Sequence, residues 1–290
     1  MIIDARVRLP QELRPPYQGP VRQEYHVQYD AVLNVSSNRM KSLQDLLREM
    51  DESGVDHAIM HAEYEYGDRA DALNEAVAEV VQKYPERFSG FGTISMEFFR
   101  PMQAVKQVVR IYELGLIGIN IQPAFFHMPI DDRRLYPVYA KAAELGLAVA
   151  IHTGVNYSVA HPLKNEHPLL LDQVACDFPE LTLIACHAAW PWIPEMVAVA
   201  RKHPNVLMDF GGLSPKYIGV QGSGWEVMYK FMNSLLMDQV LFATDWPVFS
   251  MDRAIKEWKQ LSLKSEALDK ILGLNANKII SERTGEKKDA

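Results

Sequence analysis

Two imidazoles and one carboxylate stand directly after apolar runs and directly before turns. His152 closes the run LAVAIHTG, His187 closes LTLIACH ahead of AAWPW, and Asp245 closes QVLFATDWP. Groups of these types that converge from separate strands suit metal ligation or general acid/base catalysis, so His152, His187 and Asp245 form the candidate catalytic set. Weaker candidates surround them. Glu63 follows DHAIMHA with Tyr64 and Tyr66 beside it, Asp209 lies near the end of NVLMDF, and Tyr25 and His26 fall in an early loop. Trp190, in the WPW that follows His187, is placed to wall an apolar or ring-bearing substrate or to serve as a core or interface aromatic. His127, His161 and His167 lie in loops whose spacing demands no convergence, while His57 begins a strand and His203 ends a helix, positions that read as structural. Cys176 and Cys186 match neither a zinc nor a redox spacing and read as small buried hydrophobes. The run Asp131, Asp132, Arg133, Arg134 reads as capping of a following helix.

Eight strand-like segments must position these groups: MIIDARVRL, DHAIMHA, FSGFGTI, IGINIQ, LAVAIHT, LTLIACH, NVLMDF and QVLFATD. Successive ends are spaced close to one βα unit, and runs such as LAVAI are apolar at consecutive positions, as parallel strands covered on both faces are. The expectation is an α/β protein, a single (β/α)8 barrel over residues 1–290, with its chemistry at the carboxyl ends of the strands. No G-x-G-x-x-G turn follows the first strand, which counts against an open doubly wound sheet. Helices are punctuated by Gly54, Pro85 and Gly146. Residues 10–40, rich in proline and tyrosine and without helical period, form a long first βα loop and a lid candidate.

Composition narrows the partners. The 290 residues carry a net charge of -7, which lacks the basic footprint of a nucleic-acid binder. No stretch approaches the apolar length of a membrane span, and the charged start MIIDARVR lacks a signal-like core. A cytoplasmic location without membrane partners is expected, and homo-oligomerisation stays open.

Longer segments carry a resemblance. IIDARVRL, GLIGINIQPAFFHMPIDDRRLYPVYAKAAELGLAVAIHTG, LIACHAAWPW, LFATDWP and LNANKII together resemble the amidohydrolase-related (amidohydrolase-2) family, in the branch of aminocarboxymuconate-semialdehyde decarboxylase. The resemblance implies a metal-dependent-hydrolase-like barrel acting on small carboxylated or ring substrates. It implies that His152 and Asp245 bind a metal, one divalent ion such as zinc, and that His187 positions or deprotonates the attacking group.

One departure bears on that implication. The family's first strand ends in H-x-H, and here the same place reads Arg6-Val7-Arg8. Residues i and i+2 share a strand face, so two guanidiniums replace two imidazoles. A divalent cation about 6 Å from one guanidinium meets roughly 5 to 6 kcal/mol of repulsion at an effective dielectric of 20. The fourth strand departs too, with neutral Asn120 and Gln122 where the family has Lys and His. Either no metal is held, or His152 and Asp245 hold one with a substitute such as Glu63. Arg6 and Arg8 are expected to grip a substrate carboxylate as a fork, with Gln122, Tyr25 and Trp190 as further substrate contacts. The alternative use of the arginines is an Arg–Asp network closing the barrel. The expected activity is hydrolysis of a lactone or similar activated C–O bond in a small carboxylate, with decarboxylation of an aromatic-derived acid as the runner-up and a non-catalytic metabolite-binding barrel as the third reading.

Overall fold

A computed structural model describes residues 1–16, 41–64 and 69–284. Tyr25, His26, Tyr66 and most of the 10–40 lid candidate lie outside the described residues. Eight parallel strands pair in sequence order: β1 (Ile3–Arg8), β2 (His57–His61), β3 (Phe88–Gly92), β4 (Gly118–Ile121), β5 (Ala148–Ile151), β6 (Leu183–Ala185), β7 (Val206–Asp209) and β8 (Val240–Leu241). Closure comes from the first strand meeting the last. The Ala5 amide donates to the Phe242 carbonyl at 2.9 Å, Asp245 N–H to Arg6 O at 3.0 Å and Arg8 N–H to Trp246 O at 2.9 Å.

Helices alternate with the strands: α1 (Leu43–Ser53), α2 (Ala70–Lys83), α3 (Pro101–Glu113), α4 (Tyr136–Glu144), α5 (Pro168–Asp177), α6 (Ile193–Lys202), α7 (Glu226–Met232), α8 (Met251–Gln260), α9 (Ser265–Asp269) and α10 (Asn275–Thr284). Their punctuation is local chemistry. Ser42 and Asp45 form a capping box ahead of α1, and Gly54 ends it in the left-handed region at φ 70°, where a side chain would be strained. Asp132 accepts from the Arg134 amide ahead of α4, the capping its sequence suggests. Among the described residues, no helix is long and apolar enough to cross a membrane.

Strand parity carries side chains to the barrel interior. Ala148 and Ala150 of β5 lie in the inner core, and so do Leu241 of β8, Ala243 and Ile59 of β2. Continuing each series by two residues reaches His152, Asp245 and His61 at the carboxyl end. β1 breaks parity once. Its register pairs Asp4 with Ala58 and then Val7 with Met60, so β1 spends one residue more than β2 over this stretch. Ile3 and Ala5 join the inner core below this bulge, and Val7 joins the outer core above it. The extra residue turns Arg6 and Arg8 inward.

Candidate active site

A pocket at the carboxyl mouth encloses about 610 Å³, part of it open to solvent, and gathers His152, His187 and Asp245 on one wall system with Arg8, Glu63, Gln122 and Trp190. Val155, Tyr157, Gly212 and Leu213 are the other described residues of its lining. These four belong to irregular loops, where no periodicity flags them in sequence.

His187 reaches the pocket through a tight left-handed turn: His187, Ala188 and Ala189 have φ of 58°, 46° and 53°. Its Nδ1 lies 2.7 Å from the Gly211 carbonyl oxygen. A carbonyl only accepts, so Nδ1 carries the proton and Nε2 keeps its lone pair. Burial, reinforced by the nearby His152, pushes the His187 pKa down to about 4, against the upward pull of Asp209 and Asp245. The ring is therefore neutral at neutral pH. His152 is backed differently. Its Nδ1 lies 2.7 Å from Oε1 of Glu166, whose side chain is fully buried, and Asn156 donates to the other Glu166 oxygen. The two imidazole rings are 4.9 Å apart, nearly edge to face. Glu166 escapes sequence reasoning, since it sits in a short turn before α5 with no spacing that ties it to His152.

The arginines are engaged with carboxylates. Arg6 donates from Nε to Asp209 at 3.0 Å, from Nη1 to Glu63 at 3.3 Å and from Nη2 to Asn120 at 3.1 Å, with the Cys186 sulfur 2.6 Å from Nη2. Its side chain is only 2% exposed, and it is absent from the pocket lining. The expectation that Arg6 grips substrate is corrected on this point: the buried bulge spends its guanidinium on internal acceptors. Arg8 presents its Nε and Nη2 edge to Asp245 at 2.9 and 2.6 Å and reaches Glu63 from Nη1 at 3.2 Å. It lines the pocket, yet its fork is turned to Asp245. Burial would raise both aspartates, but Arg6 and His187 hold Asp209 down at about 2, and Arg8 holds Asp245 below its ordinary value. Asp4 touches neither guanidinium. It accepts from Thr244 Oγ1 at 2.5 Å and the Thr244 amide at 3.1 Å, and burial raises it to about 7.

These contacts test the metal that the resemblance implies. Both Asp245 oxygens are hydrogen-bonded by Arg8, and the place of two imidazole ligands holds two cations. The one trio of metal-ligating types found close together among the described residues is Asp172, Cys176 and His203, outside the pocket lining. There the Lys202 ammonium already sits 2.8 Å from Asp172. The donors at the barrel mouth do not fit a divalent ion held by His152 and Asp245.

Other candidates fall elsewhere. His127 stacks on His161 at 4.7 Å, His161 meets Ser158 at 2.8 Å, and His167 accepts from the Leu169 amide as the N-cap of α5. None of the three lines the pocket, and neither does Tyr64. His57 bonds the Glu86 carbonyl and Ser89 near the amino ends of the strands. Cys186 is buried as expected, but Cys176 is exposed on α5, because an outward helical position carries it away from the barrel.

Comparison with known proteins adds lineage. A profile described as amidohydrolase matches residues 17–280. A 2-keto-4-carboxy-3-hexenedioate hydratase of Sphingobium sp. is 31% identical over 135 residues, 41% of this chain and 40% of the hydratase. A 2-amino-3-carboxymuconate-6-semialdehyde decarboxylase of Dictyostelium discoideum is 37% identical over 86 residues, 29% of this chain and 23% of that enzyme. The chain thus spans under half the length of the curated relatives it matches. Among solved structures, an uncharacterised TIM-barrel protein of Bordetella bronchiseptica is 27% identical with a TM-score of 0.81, covering 98% of this chain and 99% of its own. A 5-carboxyvanillate decarboxylase of Novosphingobium aromaticivorans with bound manganese shares the fold at a TM-score of 0.67 and 18% identity, over 97% of each chain.

Proposed function

The chain belongs to the amidohydrolase family, and from that premise we propose that it is an enzyme adding water to an activated C–O bond of a small carboxylated compound, a lactone above all. The observation that carries this reading is the unlike pair of imidazoles. His187 is kept neutral by burial, and its Nδ1–H donates to Gly211 O, which leaves the Nε2 lone pair facing the pocket. His152 has the buried Glu166 side chain behind it, with Oε1 2.7 Å from Nδ1, which holds the ring with Nε2 turned away from Glu166. Two like groups set to opposite tasks by their surroundings are the mark of an acid and base pair.

His187 Nε2 takes a proton from water as the water attacks the lactone carbonyl. His152 gives a proton to the ring oxygen as the C–O bond breaks. Arg8, engaged by Asp245 and Glu63, holds Asp245 at the pocket edge to orient the water, and the Gln122 amide, which also lines the pocket, hydrogen-bonds a substrate carboxylate. Trp190 and Leu213 supply apolar walls for a flat ring. Ring opening of an activated ester needs only such proton transfers, whereas decarboxylation needs somewhere to place the electron pair released from carbon. The curated relatives, a hydratase and a decarboxylase of carboxylated compounds, support the substrate class.

Turnover of a panel of carboxylated lactones and carboxylated aromatic acids tests the reading, with ring opening followed by absorbance and carbon dioxide measured in parallel. Lactone opening is expected, with His187→Asn lowering kcat by about 100-fold or more. Glu166→Gln should lower kcat while leaving KM nearly unchanged, because it alters the contact that orients the His152 ring and leaves the binding walls in place. Carbon dioxide release without lactone opening would transfer the assignment to decarboxylation, and no turnover of either class would overturn it.

A further inference from the structure

A cation does stand at the centre of this barrel mouth, and it is covalently part of the chain. We propose that Arg6 and Arg8 permanently replace the divalent metal of the family, and that Arg6 is a positioning residue that sets the His187 ring through Asp209. The first half is independent of the proposed reaction, and the second rests on the role given there to His187.

Three observations support replacement. The bulge in β1 turns both guanidiniums into the interior, and Arg6 is buried there with Asp209, Glu63 and Asn120 as acceptors. Arg8 binds both oxygens of Asp245, the carboxylate that a metal would need. Asn120 is the third. Its amide oxygen accepts from Arg6 Nη2 at 3.1 Å and its amide nitrogen donates to the Ala62 carbonyl, so where the resemblance implies a lysine a neutral side chain completes the hydrogen bonding of the guanidinium without adding positive charge in a buried site.

The path from Arg6 to the imidazole is continuous. Arg6 Nε donates to one oxygen of Asp209. The other Asp209 oxygen accepts from the His187 amide at 3.2 Å and the Gly211 amide at 3.0 Å. Gly211 returns its carbonyl to His187 Nδ1. Arg6 thereby anchors both ends of the loop pair that determines which ring nitrogen of His187 faces the pocket.

Metal analysis of the wild-type protein, manganese titration followed by electron paramagnetic resonance, and the same measurements on the Arg6→His/Arg8→His variant form the test. Wild type should hold far less than one equivalent, take up none at the barrel mouth on titration, and keep its folding midpoint in chelator. The double variant, with its imidazole pair restored beside His152 and Asp245, should bind one equivalent at least about 1,000-fold more tightly, because two repulsive terms vanish. Stoichiometric metal in wild type, lost together with folding in chelator, would overturn the proposal. So would a double variant that is folded by circular dichroism and binds nothing. Should the variant not fold, the wild-type titration decides alone. For positioning, Arg6→Lys keeps the charge and loses the fork, so it should shift the His187 ring-nitrogen NMR signals from the Nδ1-protonated pattern. Where turnover is seen, it should lower kcat with KM held. An unchanged His187 signal would overturn that half.

Discussion

One side chain type does two jobs here because of what stands behind each ring. A backbone carbonyl can only accept, so His187 is held with its lone pair outward, whereas the ring of His152 is backed by the buried Glu166 side chain 2.7 Å from Nδ1. The consequence is visible in pH. Protonation removes the His187 lone pair, and its pKa is lowered from 6.5 to about 4. The limb of kcat/KM belonging to this base should thus be centred near pH 4, with no loss from His187 between about pH 5 and 8. The same shift bears on stability. The unfolded chain protonates this histidine from 6.5 downward while the folded ring resists until about 4, so this contribution is full above 6.5 and is lost as pH falls through that window. Rates must accordingly be read on protein shown to be folded at each pH. A single-proton limb near 6.5 would remove His187 as the base.

At the scale of elements, a few rules locate most of the site. An apolar strand with period-two parity, ending in His or Asp at an inward position, is enough to place His152 and Asp245, and the βα rhythm places them at one face. What sequence does not reveal is irregular. Nothing in IDARVR announces the bulge that buries Arg6, and the left-handed turn at His187 is written in no glycine. Glu166 is brought to His152 by a loop that doubles back, closed by Gly154 N–H donating to the Glu166 carbonyl at 3.2 Å. That loop also meets the one after β6. The Val155 amide donates to the Trp190 carbonyl at 2.8 Å, and Gly154, at φ 91°, would place a Cβ 2.5 Å from the same oxygen. Gly154→Ala should therefore cost about 1–3 kcal/mol and lower kcat/KM as Trp190 and Val155 separate. Urea unfolding and steady-state kinetics check both. A variant with wild-type values would show that these loops yield without consequence.

Across the whole molecule, the barrel interior is graded from apolar to charged. At the amino end Ala276, Ile279 and Ile280 of α10 pack with Ile3, Ala5 and Ile59 in one inner cluster. Toward the carboxyl end come the Arg6 network and then the pocket. The gradient separates tasks, since apolar burial at one end can hold the barrel closed while the other end stores buried charge at a cost to stability. Ile280, 5% exposed, tests that division. Its truncation to alanine removes buried methyl groups and leaves a cavity, a loss of about 2–4 kcal/mol from a total that for ordinary domains is roughly 5–15 kcal/mol. The urea midpoint of Ile280→Ala should fall with its slope unchanged. Its kcat/KM, read well below that midpoint, should stay within about twofold of wild type, because the effects of distant sites without shared partners are nearly independent. A parallel fall in activity by folded protein would mean that α10 sets the Arg6 layer through the inner core, and that the two ends of the barrel act as one unit.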